Sequence, residues 1–259
     1  MPEKKKGEWH IEVAAAQTIG SRARQEDNEG SVVGKVDGRP AQLVALADGM
    51  GGMKNGDLFS KTAVEAVIHE FVSRTYQNVP PWMILAQLTL IANREAAALQ
   101  QEKEKGGTTL ILALIVSNHL YFASVGDSRI DLWRQGTLLQ LNRRHVLGDL
   151  LDERACLGVI DEEIARNSLC RNAISSSIGE ERLKSIDLND RAIHLMRDDY
   201  VVLMSDGVFG TLDDGEICGL IDPGESVKQT AEKIIRQVES KRKEKQDNAT
   251  VAICRWMKV

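Results

Sequence analysis

Short apolar runs, each stopped by glycine or by a polar turn, dominate the pattern of this chain. Runs of this length that are rich in Val, Ile and Leu are typical of buried strands. The pattern predicts strands near residues 11–18, 31–36, 42–47, 108–116, 120–125, 130–133, 137–141, 185–188, 192–196, 200–204 and 249–256. Residues 37–40 are predicted to form the turn of a hairpin between the second and third of these strands.

Helical periodicity occurs in two places, and each follows one group of strands. Apolar residues at four-residue spacing predict a helix over 57–76, and a second helix is predicted to begin at Pro80-Pro81 and to run to about Lys103. Two further helices are predicted at 213–220 and 226–243, whereas the acidic segment 148–168 is predicted to be irregular or weakly helical. The order of the elements favours two antiparallel sheets, each with a helix pair on its outer face, over alternating βαβ units.

This arrangement predicts an α+β fold, a four-layer α/β/β/α sandwich with two central antiparallel sheets flanked by helix pairs. The chain has no internal repeat and no linker rich in Pro, Gly or Ser. We therefore expect a flexible N-terminal tail over residues 1–8 and a single catalytic domain over residues 9–257. Within that domain, the segment around 148–168 is expected to form a flap.

Four aspartates lie at the ends of the apolar runs. Asp48, Asp127 and Asp206 each follow such a run, and Asp247 precedes the last one. Carboxylates at strand ends lie where the chain leaves the core, so they can converge on one cleft, where they repel each other unless a cation lies between them. Oxygen ligands without Cys or His favour Mg²⁺ or Mn²⁺ over Zn²⁺. The sequence therefore predicts a metal-dependent enzyme.

Each of these aspartates also has a simpler interpretation. Asp-Gly pairs are ordinary turn formers, so Asp48 or Asp206 taken alone is most simply a turn residue. Asp127, in Gly126-Asp127-Ser128-Arg129, could equally form a structural corner. Both interpretations remain open when each aspartate is considered alone.

Composition narrows the class of protein. The 259 residues are 42% hydrophobic and 27% charged, which is typical of a globular protein with a full core, and the 4% of aromatic residues predicts a mostly aliphatic one. The net charge of −5 argues against nucleic acid as a partner. No run reaches the roughly 18 apolar residues of a membrane span, and the basic start lacks the apolar stretch of a secretory signal.

The cysteines carry no recognisable chemistry. Cys156, Cys170, Cys218 and Cys254 are far apart and fit neither a zinc ribbon nor a redox pair, so we expect reduced thiols in a cytoplasmic protein. None has a nucleophile signature, which argues against covalent catalysis by a cysteine thiolate. The sequence also lacks the Gly-x-x-x-x-Gly-Lys-Ser/Thr loop of the common NTPases.

Six short motifs occur in a characteristic order. They are Arg22–Asn28, Asp48–Gly52, Gly107–Thr109, Gly126–Arg129, Ser205–Gly207 and Asp247–Thr250. In this order and at about this spacing they resemble the metal-dependent protein phosphatase 2C family, over nearly the whole chain, and the Asp48–Gly52 form is similar to its bacterial branch. Each motif alone arises easily by chance, but six in order do not.

The resemblance implies a two-metal cleft at one end of the sandwich that uses Mn²⁺ or Mg²⁺, with a third, weaker ion beside it. It implies hydrolysis of phosphoserine and phosphothreonine by direct attack of a metal-bridging water. It implies that Asp48 bridges the two metals, that the carbonyl of Gly49 adds a ligand, and that Asp206 and Asp247 complete the first metal. Glu26 and Asp27 would hold the second metal, largely through its waters, and Arg22 would bind the substrate phosphate. Asp127, together with Asp206, would hold the third ion.

The chain departs from the family pattern at three places. Met50 follows the Asp-Gly pair where eukaryotic members usually have His, and Met53 follows Gly51-Gly52 where bacterial members usually have His. The usual Thr-x-Asp-His-Ser segment is replaced by Asn142-Arg143-Arg144-His145-Val146. The metal ligands are retained, which favours an active enzyme, but the proton donor to the leaving group and the behaviour of the flap stay open.

The expected partner is a phosphorylated protein substrate, with the enzyme, a monomer, opposing a serine/threonine kinase. Two alternatives remain open: a catalytically weak regulatory or binding module on the same fold, and a phosphatase for a small phosphorylated molecule. The acidic residues Asp161, Glu162 and Glu163 are either a solvated face or a selector for basic residues around the phosphosite.

Overall fold

The strands of the chain form two antiparallel sheets. The computed structural model describes residues 9–50, 55–101 and 106–258; the predicted tail, Gly51-Gly52, Met53 and Lys103 lie outside these ranges. The strands are β1 (Trp9–Thr18), β2 (Asp27–Val36), β3 (Arg39–Asp48), β4 (Leu110–Val116), β5 (His119–Val125), β6 (Arg129–Arg134), β7 (Thr137–Gln140), β8 (Asp187–Leu188), β9 (Ile193–His194), β10 (Asp199–Met204) and β11 (Ala249–Lys258). The first sheet has the order β1-β11-β10-β6-β7, and the second has the order β2-β3-β4-β5-β8 with β9 also paired to β5.

Helices cover the outer faces of both sheets. They are α1 (Gly56–Ser73), α2 (Pro81–Gln101), α3 (Leu147–Cys156), α4 (Glu162–Asn167), α5 (Asp206–Phe209), α6 (Asp214–Leu220) and α7 (Val227–Ser240). The helices α1 and α2 pack on the second sheet, and α5, α6 and α7 pack on the first. None of the helices within the described ranges is long and apolar enough to cross a bilayer.

A third apolar layer lies between the two sheets. Alternate residues of β3 and β4, such as Leu46 and Ile111, meet Ile130, Leu203 and Ala252 from the first sheet, and all five are fully buried. Because successive side chains of a strand point to opposite faces, the other residues of the same strands contact the helices. The predicted four-layer α/β/β/α sandwich is confirmed, and each fully buried Leu or Ile contributes about 1.5–3 kcal/mol to its stability.

One local prediction was wrong, and one short helix was missed. The hairpin turn consists of Asp37 and Gly38 alone, with φ of 50° and 74°, and Arg39 and Pro40 already belong to β3. Two left-handed residues match the right-handed twist of the flanking strands, so a longer turn is not needed. The short helix α5 was not predicted, because four residues are too few to show a helical period.

The segment 148–168 is more ordered than its composition indicated. Most of it forms α3 and α4, and the side chain of Asp161 caps α4 by accepting a hydrogen bond from the backbone N of Glu163 at 2.7 Å. Arg171, in the loop after α4, ties α3 to α4 by bonding the carboxylate of Asp152 in α3 and the carbonyl of Ala165 in α4. The two helices form a small hairpin beside the strand ends.

Candidate active site

Asp27 and Asp48 lie side by side at one end of the second sheet. Asp27 begins β2, Asp48 ends β3, and the antiparallel register places them directly opposite each other. The backbone of Asp48 is fixed by two neighbours: its N donates to Thr109 Oγ1 at 2.9 Å, and its carbonyl accepts from Thr108 Oγ1 and Thr109 N, both at 2.8 Å. The motif Gly107-Thr108-Thr109 therefore holds the end of β3 in place.

Asn248 joins the loop before β2 to the start of β11. Its Oδ1 accepts from the backbone N of Glu26 at 2.8 Å, and its Nδ2 donates to the carbonyls of Ile19 and Arg24, both at 2.9 Å. These bonds hold the loop that carries Arg22 and Glu26 against Asp247, the residue before Asn248. The ion pair that results joins Arg22 Nη2 and Asp247 Oδ2 at 2.5 Å, with about two-fifths of each side chain exposed.

Gly207, the residue after Asp206, allows the first sheet to contribute the carboxylate of Asp206. Asp206 is the first residue of α5, directly after β10. A Cβ on Gly207 would lie 1.9 Å from the carbonyl oxygen of Asn248, so only glycine lets this turn approach the start of β11. Asp206 and Asp247 therefore belong to segments that are in direct contact.

Asp127 reaches the same end through a left-handed corner. It follows Gly126, which has φ of 100°. Gly126 is held from outside, since its carbonyl accepts from the backbone N of His145 at 2.7 Å and its N donates to His145 Nδ1 at 3.2 Å. The Gly126-Asp127 corner is thus attached to the segment Arg143–His145.

The carboxylates share one electrostatic field. Burial raises the pKa of Asp48 well above its usual range, and the charges of Asp27, Asp206, Asp127 and Asp247 raise it further. Burial, with Asp127 and Asp247, raises the pKa of Asp206 to about 7. These shifts require mutual proximity, because the repulsion between two carboxylates falls with distance.

Two more acids at this end have raised pKa values. Burial raises the pKa of Asp27 to about 6, although hydrogen bonds from Thr250 and Ser205 oppose the shift. Burial and the charge of Asp57 raise the pKa of Glu26, while Arg22 opposes this. Negative charge at this end of the sandwich is therefore costly unless a cation offsets it.

The donor set fits a hard divalent cation. Asp27 is 2% exposed, its Oδ2 accepts from Ser205 Oγ at 2.8 Å and Thr250 Oγ1 at 2.7 Å, and its Oδ1 is buried with no hydrogen-bond partner. An orphaned buried carboxylate oxygen among other carboxylates suits Mn²⁺ or Mg²⁺. Across the described ranges, no three His, Cys, Asp or Glu side chains already stand as ligands of one ion, so the carboxylates face each other without forming a closed cage.

The eight residues singled out in the sequence thus lie at one end of the sandwich, and their individual roles stay predictions. Five supporting residues had been given no role. They are Thr108, Thr109, Ser205, Asn248 and Thr250, and they hold the backbone or the side chains of the acidic residues. Their position inside the six sequence motifs is the signal that could have identified them.

A groove of about 1010 Å³ opens beside the Gly126-Asp127 corner. One wall carries Arg143, Arg144 and His145, and the other carries Asp149 and Glu153 of α3. Burial lowers the pKa of His145. The groove therefore carries charges of both signs, since Lys184 and, on the sandwich itself, Asp187 of β8 also line it.

Comparison with known proteins gives one family. The model of the family described as "Protein phosphatase 2C" matches residues 20–250. The chain is 28% identical over 242 residues to a serine/threonine phosphatase stp of Listeria welshimeri, covering 90% of each protein. The solved serine/threonine phosphatase of S. agalactiae superposes with a TM-score of 0.79 at 27% identity, covering 95% of this chain and 99% of that one. The catalytic domain of the phosphatase PstP, solved in complex with two manganese ions, superposes with a TM-score of 0.70 at 26% identity, covering 96% and 100%.

Proposed function

The chain belongs to the protein phosphatase 2C family, and on that premise we propose that it is a Mn²⁺- or Mg²⁺-dependent phosphatase that hydrolyses phosphoserine and phosphothreonine in proteins. The observation that carries the proposal is the group of mutually repelling carboxylates, Asp27, Asp48, Asp127, Asp206 and Asp247, at one end of the sandwich. A related catalytic domain solved with two manganese ions supports the choice of metal.

We assign Asp48 as the ligand shared by both ions, which is supported by the raised pKa of this carboxyl, since burial and then the charges of four other aspartates raise it. We assign Asp206 and Asp247 to one ion, and Glu26, Asp27 and the carbonyl of Gly49 to the other. When bound, the two ions supply a water nucleophile of lowered pKa and neutralise charge on the phosphate.

Ser205 and Thr250 hold Asp27 by donating two hydrogen bonds to the same carboxylate oxygen, which leaves the other oxygen buried and without a partner. Arg22 is assigned to the phosphate. Its planar guanidinium can bond two phosphate oxygens at once, and in the structure it bonds Asp247.

The groove beside Asp127 favours a polypeptide substrate over a small phosphorylated molecule. Its volume of about 1010 Å³ exceeds what a phosphate ester alone would fill, and its lining, which includes none of the site carboxylates, carries charges of both signs. A catalytically weak regulatory module is the second candidate, and the substitutions at Met50 and Arg144 relative to the family pattern are what favour it.

Hydrolysis of a phosphothreonine peptide, assayed with Mn²⁺ and with a chelator, tests the proposal. Activity should appear with Mn²⁺ or Mg²⁺ and vanish with the chelator, and Asp206→Asn should lower kcat by at least ~10²-fold. Asp190→Asn, which changes an exposed aspartate in the same way, is the control and should leave kcat unchanged. Full activity of Asp206→Asn, or in metal-free buffer, contradicts the two-metal reaction.

We further propose that the protein is a cytoplasmic monomer that opposes a serine/threonine kinase, and that residues 9–257 form one catalytic domain with a flap around 148–168. Free thiols at all four cysteines support a reducing compartment. The apolar layer shared by the two sheets supports the single domain.

A further inference from the structure

Arg144 carries a positive charge on the segment that is bonded to the Gly126-Asp127 corner, and Asp127 was predicted to hold a third ion together with Asp206. Its sequence neighbour His145 is bonded twice to Gly126, the neighbour of Asp127, through N to O at 2.7 Å and Nδ1 to N at 3.2 Å. The pair of bonds brings Arg144 and Asp127 together on two adjacent segments of chain.

Phe209 fixes the direction of the guanidinium. The Cζ of Arg144 lies 6.0 Å from the centroid of the Phe209 ring, and Phe209 is the last residue of the four-residue helix that Asp206 begins. A cation held over an aromatic face is attracted by the ring, which limits the directions that the side chain takes. Arg144 is therefore connected to Asp127 through the backbone and to Asp206 through Phe209.

The charge of Arg144 is not used by a carboxylate ion pair. In the described parts of the chain no carboxylate oxygen lies within 4.0 Å of its guanidinium. Arg129, the other cation over Phe209, differs in this respect, because it bonds both Asp131 and Asp214. The charge of Arg144 is therefore available to the Gly126-Asp127 corner, to which its neighbour His145 is bonded.

We propose that the guanidinium of Arg144 replaces a third metal ion beside Asp127 and Asp206, so that this enzyme binds two divalent ions and not three. The inference rests on the proposed metal-dependent function. The family pattern that this chain resembles has Asp at the position of Arg144, so a positive group stands here where that pattern has a negative one. A divalent ion would be repelled by the guanidinium, and Asp127 would lose part of its attraction for it.

We expect the repulsion to weaken binding of a third ion by at least ~10²-fold. The consequence for the reaction is that one cation of the cleft is supplied by the polypeptide and does not depend on the concentration of free metal. A requirement for Mn²⁺ would then reflect only the two ions that Asp48 brings together.

Counting bound Mn²⁺ tests the inference without using activity. Calorimetric titration, with electron paramagnetic resonance of free Mn²⁺ as a second count, should give two ions for the parent protein. Arg144→Gln keeps most of the stem over Phe209 and removes the charge, so it should bind a third ion. Arg144→Lys should still bind two, because it keeps the charge.

Two further variants locate the effect. Arg143→Ala is the matched control, since Arg143 is the preceding residue, is exposed and lines the same groove, and it should bind two ions. Adding Asp127→Asn to Arg144→Gln should return the count from three to two. Thermal unfolding in chelator establishes that each variant is folded before its ions are counted.

Three results overturn the inference. One is a third ion in the parent protein at the same affinity as in Arg144→Gln, and another is a folded Arg144→Gln that still binds two. A parent protein that binds no Mn²⁺ overturns the proposed metal-dependent function and the inference with it, which separates that failure from the first two.

Discussion

Asp27 should destabilise the metal-free protein, and replacing it with asparagine should reverse this. The side chain is 2% exposed and its pKa is raised by burial to about 6, against an ordinary 3.8. A carboxyl whose folded pKa lies above its unfolded pKa favours folding below pH 3.8, and that contribution is lost as pH rises towards the folded value. At about 1.4 kcal/mol per pH unit, ionised Asp27 costs about 3 kcal/mol at pH 7.5.

Asn fits this site without a change of shape. Its carbonyl oxygen can still accept the bonds from Ser205 and Thr250, and its amide can donate towards Asp48, which lies directly opposite in the sheet. Allowing for weaker hydrogen bonds to a neutral acceptor, we expect Asp27→Asn to raise the free energy of unfolding by about 2 kcal/mol at pH 7.5. The gain should fall below about 1 kcal/mol near pH 4.5, where the carboxyl of the parent is mostly protonated in the folded state.

Urea unfolding in chelator at pH 7.5 and pH 4.5 measures this effect, with Asp190→Asn as the control for loss of one negative charge at an exposed position. Added Mn²⁺ should reduce the advantage of Asp27→Asn at pH 7.5, because only the parent keeps the full ligand set and gains stability from binding. An Asp27→Asn variant that is no more stable than the parent in chelator at pH 7.5, with the same urea dependence, would refute the electrostatic explanation.

Two other predictions concern substrate binding. Arg22→Ala should raise KM for phosphopeptides, and it should not weaken Mn²⁺ binding, because it removes a cation that bonds the ligand Asp247. Arg22→Lys should restore KM only in part, since an ammonium lacks the planar fork of the guanidinium. A collapse of Mn²⁺ affinity in calorimetry would show that Arg22 has a structural role instead. Selection by the flap should come from Asp149 and Glu153, which line the groove, so neutralising both should reduce the preference for basic over acidic phosphopeptides, most clearly at low salt. Neutralising Glu162 and Glu163, which lie outside the groove, should leave that preference unchanged. Equal effects of the two pairs would exclude the groove as the selector.

The acidic residues could be found from the sequence because each one marks the end of an apolar run. Asp48, Asp127 and Asp206 each follow a strand that can be predicted from the residues of that strand. The order of the six motifs then indicated which family the chain resembles. Local pattern also predicted the strands and the four-layer sandwich, because alternation along a strand and four-residue spacing along a helix are properties of neighbouring residues. The two-residue hairpin turn at Asp37-Gly38 and the short helix α5 were missed because each depends on backbone angles that several sequences can adopt.

Only the tertiary structure decided which residues support the acidic group and which neighbour each acid has. Ser205 and Thr250 meet Asp27 across more than 170 positions of chain, at distances of 2.8 and 2.7 Å, and no local pattern encodes such a contact. The same holds for Asn248, which joins Glu26 to Asp247, and for Arg144, whose charge counts only because the fold places His145 on Gly126. Sequence determines which groups can carry charge, whereas burial and long-range contact determine what that charge costs and which cation offsets it.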